Sequence, residues 1–140
     1  AGTGITHSEV NSSKTEESKL LQIWVFPRAH NLTPSYDQRF FDVEGRTGKW
    51  QYLVTPNGGE SIKAQQETYF VRQLMSSMSH ADYELHGEYQ GAYIFVIEGS
   101  VEVNGHKLER RDAIGLWELD QLDFTTSEGA DVLVVEIPMR

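Results

Sequence analysis

The most constraining feature of this sequence is its punctuation: short apolar runs closed by turn signals, with no window of eleven or more residues showing a 3.6-residue apolar period. Trp50, Tyr52 and Val54 alternate with Lys49, Gln51 and Leu53, Ile62 and Ala64 with Lys63 and Gln65, and Leu122 and Phe124 with Asp123. A period of two places one face of a strand in a core and the other near water. Two stretches, 92–97 (AYIFVI) and 132–135 (VLVV), are apolar throughout. They are β-branched or aromatic, short, and followed by Glu98-Gly99 and, a little later, Pro138, which suits buried strands better than helices.

The turns between these runs have their own chemistry. Asn104-Gly105 stands between Ser100-Val101-Glu102-Val103 and His106-Lys107-Leu108. Both central residues of a type I′ hairpin need positive φ, which Asn and Gly tolerate. Pro56-Asn57-Gly58-Gly59 and Ser127-Glu128-Gly129 mark two more turns. About ten short strands in one chain predict an all-β barrel or double-sheet roll, because closure removes exposed sheet edges. The chain has 140 residues, enough for one domain with a core and too few for two ordinary ones. Residues 1–19 are polar and read as a strand-like N-terminal extension plus linker, and residues 20–140 read as the barrel.

Charge and composition exclude several functions. The formal net charge of −9 argues against direct binding to nucleic acid or to an anionic membrane, which needs clustered Lys and Arg. No apolar run approaches the ~18 residues of a spanning helix. With no cysteine there is no disulfide, thiolate metal site or cysteine nucleophile, and the cytoplasm is the expected compartment. No nucleophile elbow, phosphate loop or HExxH helix is present, so no catalytic residue is assigned.

Two constellations offer metal-ligand chemistry. In His7-Ser8-Glu9, residues i and i+2 of an extended segment project together, pairing an imidazole with a carboxylate. Such a pair suits Fe(II), Zn or Mn, but a stable site takes three or four ligands, so this is half a site. The second is Glu84-Leu85-His86-Gly87-Glu88, with His80 upstream. If the segment is a strand, Glu84, His86 and Glu88 share a face. A lone histidine flanked by acids is more often a hydrogen-bonded residue at a barrel mouth, so His80, His86 and Glu88 are weaker candidates than His7 and Glu9. His106 in its hairpin is expected to be exposed, and Trp24, Trp50 and Trp117 to build core or interface.

Two stretches resemble a known family. The segment 1–9 (AGTGITHSE) is similar to the end of the first cupin barrel of pirin-like proteins, where G-x-G-I-x-H-S-E recurs. Leu21-Gln22-Ile23-Trp24-Val25-Phe26-Pro27, followed by Pro34-Ser35-Tyr36-Asp37-Gln38, resembles the segment that opens the second half of those bicupins. The resemblance implies a C-terminal cupin barrel preceded by the trailing strand of a first barrel that this sequence lacks. It also implies that His7 and Glu9 are the last two of four metal ligands, usually for iron, whose first two, an H-x-H pair, have no counterpart here. Laid on the general cupin pattern, Gly99 and Gly105 keep the scaffold glycines. The first motif's ligand positions, however, hold His86, Glu88 and Ala92, and the second motif's proline, glycine and histidine positions hold Arg111, Ala113 and Leu116.

The resemblance implies that full-length relatives are quercetin 2,3-dioxygenase-like metal enzymes. The chain alone is therefore expected to be non-catalytic and to hold no cofactor of its own, with Fe(II) or another divalent metal belonging to the full-length arrangement. The alternative is a protein-interaction or small-ligand module, as in pirin-like transcription cofactors, pairing with a second copy through the N-terminal extension.

Overall fold

The computed structural model describes residues 2–140; Ala1, the first residue of the N-terminal motif, lies outside the described residues. Ten strands follow one another: β1 (Gln51–Thr55), β2 (Ile62–Lys63), β3 (Tyr69–Met75), β4 (Ser79–Glu84), β5 (Gln90–Gly99), β6 (Val101–Val103), β7 (His106–Leu108), β8 (Ala113–Trp117), β9 (Gln121–Thr126) and β10 (Ala130–Pro138). They form a six-stranded sheet in the order β2-β1-β3-β10-β5-β8 and a four-stranded sheet in the order β4-β9-β6-β7. The only helix among the described residues is a 3-10 turn at Glu44–Arg46, and no helix is long and apolar enough to cross a membrane. The fold is the all-β, two-sheet roll that the sequence predicts.

The core lies between the sheets. From the larger sheet, Val71, Ile94, Val96, Val132 and Val134 are fully buried, and from the smaller Val103, Leu122 and Phe124 meet them. The period-two pattern of β9 is plain in its burial, with Leu122, Phe124 and Thr126 inward and the residues between them exposed. Trp50 closes one side, its ring edge-on to Phe124 at 5.1 Å and to Tyr83 at 5.4 Å, while its indole N–H donates to the Asp82 carbonyl at 2.6 Å.

The two continuously apolar runs are explained by burial on both faces. β10 pairs antiparallel with β3 and β5 and so has no free edge. Its inward residues enter the core, while Leu133 and Val135, on the outer face, are only 6% and 5% exposed. They line an outer groove with Leu21, Ile23 and Val25, so the segment that follows the polar extension covers the outside of the sheet. Phe26 and Arg28 anchor that cover, the Phe26 carbonyl accepting from Gln66 Nε2 at 2.9 Å and the Arg28 N–H donating to the Gln65 carbonyl at 3.0 Å.

The hairpin at Asn104-Gly105 has both residues at positive φ, 46° and 81°, as its type requires. Gly99 has φ 81°, and a Cβ there would run into the Gly129 carbonyl, so this scaffold glycine lets the chain pass from β5 to β6 between sheets. One expectation needs correction. The segment 84–88 is not a strand: β4 ends at Glu84 and residues 85–89 form a turn, so Glu84, His86 and Glu88 share no face. The extension carries no strand among its described residues. Its polar stretch satisfies its own backbone in local turns, with Ser13 N–H donating to Asn11 Oδ1 at 3.0 Å and Glu16 N–H to Ser13 Oγ at 2.8 Å.

Truncating Phe124, which is fully buried against Trp50, is expected to cost about 3–5 kcal/mol in urea denaturation. A loss under about 0.5 kcal/mol, the size of a surface change, would refute this core.

Candidate functional site

A fully buried acid organises one end of the roll. On β10 the inward residues are Ala130, Val132 and Val134, and the same alternation carries Glu136 inward. At that level β4 has run out and the turn after it folds over the opening, held by the Leu85 N–H on the Asp120 carbonyl at 2.9 Å. The turn delivers His86 to Glu136.

Three donors then meet one carboxyl group. The His86 backbone N–H donates to Glu136 Oε1 at 2.7 Å, His86 Nδ1 lies 2.9 Å from Oε2, and the Tyr83 hydroxyl donates to Oε2 at 2.7 Å. Burying a carboxyl group without partners costs several kcal/mol, so this set of donors is the condition of its burial. On the other side of the ring, His86 Nε2 lies 3.3 Å from the Tyr52 hydroxyl. Tyr69 stacks flat on the imidazole, 3.7 Å between centroids and 9° between planes, so the ring has no freedom to turn.

The electrostatics follow from burial next to an acid. Burial raises the hydroxyl pKa of Tyr83 first of all, and the hydrogen bond and charge of Glu136 raise it further. Tyr52 and Tyr69 are raised for the same two reasons, burial first and Glu136 second. All three stay hydroxyl donors across the neutral range. The cluster orients one imidazole and holds the turn, with three hydrogen bonds converging on the Glu136 carboxyl group. Among the described residues no third His, Asp or Glu stands beside His86 and Glu136 as a further metal ligand.

The remaining predicted residues stand elsewhere. His7 Nε2 and Glu9 Oε1 lie 3.5 Å apart with side chains 56% and 48% exposed, and no third His, Asp or Glu joins them among the described residues. His80 sits on the exposed side of the four-stranded sheet, with Nε2 2.9 Å from Asp123 Oδ2 and 3.4 Å from Asp82 Oδ1. The hydrogen bond to Asp123 holds its pKa above the usual histidine range. Exposed trios of this kind are ordinary surface ion pairs. Glu88 is exposed in the turn and makes no side-chain hydrogen bond among the described residues. Glu136, Tyr52, Tyr69 and Tyr83 were not singled out from the sequence. The available signal was the alternation Val132, Val134, Glu136, which places a lone acid on a core face.

Comparison with known proteins agrees with this architecture. The family described as the quercetinase C-terminal cupin domain matches residues 52–137. Quercetin 2,3-dioxygenase from Escherichia coli (strain K12) is 32% identical over 140 residues, which is 99% of this chain and 58% of that protein. A pirin-like protein from Caulobacter vibrioides is 27% identical over 138 residues, 97% of this chain and 59% of that one. The crystal structure of YhhW from Escherichia coli superposes with a TM-score of 0.74 at 24% identity, over 82% of this chain and 48% of that chain. The nickel(II) complex of bacterial pirin YhhW gives 0.71 at the same identity, over 80% and 47%. The chain therefore spans less than two thirds of the length of these relatives.

Tyr83→Phe removes one donor from a buried acid and is expected to lower stability by about 1.5–3 kcal/mol in urea denaturation. The raised tyrosines also predict an alkaline limit. Folded and unfolded forms are equally protonated below the ordinary tyrosine value of 10.0, so this contribution is constant there. Above it the unfolded chain ionises first, and stability falls as pH rises. Tyrosinate absorbance should show three of the six tyrosines ionising later than free tyrosine, together with unfolding.

Proposed function

The chain belongs to the family of quercetinase C-terminal cupin domains, and from that premise we propose that it is the supporting barrel of a quercetin 2,3-dioxygenase-like protein and contributes only two ligands to its metal centre. The observation that carries this reading is the His7–Glu9 pair. Its imidazole and carboxylate donors are 3.5 Å apart, both open to solvent, on a segment that precedes the first strand. An imidazole nitrogen and a carboxylate oxygen suit Fe(II), Ni(II) or Zn(II). A catalytic site of such a metal takes three protein ligands or more, and the described residues put no third donor beside this pair. The residues of this chain thus fit half of a metal site, and no reaction step is assigned to them.

The barrel's own interior supports the same division of roles. Where a cupin would carry ligands, this one has His86, turned by its Nδ1 toward Glu136 and capped by Tyr69. Glu136 spends its oxygens on Tyr83 and His86. The cluster holds the mouth of the barrel together, and among the described residues no third His, Asp or Glu stands beside His86 and Glu136 to complete a ligand set.

Elemental analysis after desalting tests the reading. Incubated with Fe(II) or Ni(II), the chain alone should retain well under one equivalent. Joined to the preceding part of the Escherichia coli relative, it should retain about one, falling about tenfold or more in His7→Ala or Glu9→Ala, the usual order for loss of a ligand or its support. Stoichiometric metal on the isolated chain, or retention indifferent to both substitutions, would contradict the proposal.

A further inference from the structure

Three of the four sheet edges in this protein are blunted. β2 has only two residues; β7 has three and exposes His106 and Lys107; β4 exposes His80, Asp82 and Glu84 along its length. Short or charged edges discourage pairing with another chain. β8 is the exception. Its five residues, Ala-Ile-Gly-Leu-Trp, include no charge and no proline, and its only ladder partner among the described residues is β5.

The phase of that ladder is fixed. Val96 N–H donates to the Asp112 carbonyl at 3.0 Å, and the Arg111 N–H donates to the Val96 carbonyl at 2.8 Å. Alternation then turns the backbone groups of Ile114 and Leu116 toward β5, opposite Ile94 and Ala92. The N–H and C=O groups of Ala113, Gly115 and Trp117 face the open edge. The strand is also uncovered from the side: Ala113, Gly115 and Trp117 are exposed, Ile114 and Leu116 only half-buried. A Cβ placed on Gly115 would meet nothing within 4 Å.

We propose that β8 is an interaction surface for a second copy of this chain, paired antiparallel with Gly115 on the two-fold axis. The edge is complementary to itself in that register. Gly115 faces Gly115 of the second copy, and Trp117, 58% exposed, faces Ala113 of the second copy, a small residue that leaves room for the indole. The three outward residues of each strand satisfy one another's backbone groups, and Tyr93, half-exposed beside Gly115, extends the apolar cover. Pairing stops cleanly at both ends, because Arg111 (φ 72°) and Glu118 (φ 59°) turn the chain away. A two-fold strand pair closes on itself and gives a dimer rather than a fibre. Five paired residues make a small interface, so the association is weak, and with a net charge of −9 on each copy it strengthens as salt screens the repulsion.

Sedimentation velocity of the full chain from about 5 to about 500 µM, the range in which a small interface assembles, should show a reversible monomer–dimer equilibrium that shifts to dimer with added salt. Gly115→Pro removes the N–H at the axis, and Ala113→Lys blocks the indole of the second copy. Each should weaken dimerisation about tenfold or more while thermal unfolding of the monomer is unchanged, and Gly115→Ala, which keeps the donor, should dimerise as before. Ala113→Lys changes an exposed side chain only, so it decides the matter if the proline variant fails to fold. A chain that stays monomeric throughout, an open-ended assembly, or a dimer indifferent to Ala113→Lys would each overturn the proposal.

Discussion

The structure depends on one strand that is buried in every direction. β10 is hydrogen-bonded along both edges, packed on the core by Ala130, Val132 and Val134, and covered outside through Leu133 and Val135. A strand so placed must be apolar on both faces, which is why its sequence runs without alternation. It also imposes requirements on what surrounds it. The sheet needs an outer cover, and the segment 21–25 supplies one. The inner face needs a second sheet at a distance set by side chains such as Phe124 and Ile94, and β9 and β6 provide it.

The same strand makes the polar cluster possible. Glu136 is the last inward position before β10 leaves the barrel at Pro138. An acid at this depth is tolerated only where donors converge, and the end of the roll is where a turn can bring a backbone N–H, a histidine and a tyrosine hydroxyl to one point. Thr68 adds a further tie, its hydroxyl donating to the Glu136 carbonyl at 2.6 Å. The cluster thereby fastens β3, β4, β10 and the turn after β4 to one another. The barrel mouth is closed by polar bonds that converge on the Glu136 carboxyl group.

Much of the fold was legible because its strands alternate or its turns need particular residues. Leu122 and Phe124 announced β9, and Asn104-Gly105 announced the β6–β7 hairpin with its positive φ values. The polar site was legible only in part. His86 stood out as a histidine among acids, but its flanking Glu84 and Glu88 were not its partners. The true partner, Glu136, is 50 residues away. Sequence proximity marks neighbours within a strand or turn, whereas a barrel mouth gathers the ends of strands that are distant in sequence. Glu136 was marked only by its spacing from Val132 and Val134, a weak mark in a run whose intervening residues, Leu133 and Val135, are apolar too. The three tyrosines were invisible for a simpler reason: an aromatic at an inward position reads as core whether or not its hydroxyl is used.

The N-terminal segment serves two physical ends that need not be coupled. Leu21, Ile23 and Val25 are held on the sheet by the groove above Leu133 and Val135, and the Phe26 and Arg28 backbone bonds fix where that cover ends. His7 and Glu9 lie beyond a polar stretch whose hydrogen bonds are local turns, with Asn11 Nδ2 donating to the Glu16 carbonyl at 2.7 Å. A chain of roughly a dozen residues reaches about 40 Å when extended, so the barrel limits the position of the pair without dictating it. Under the function proposed above, the geometry of a metal centre there would be set by whatever supplies the other ligands. The cover, by contrast, is set by this barrel alone. The donor pair and the β10 core therefore sit at opposite ends of one segment, and a change at Leu21 or Ile23 can loosen the sheet without altering the pair at His7 and Glu9.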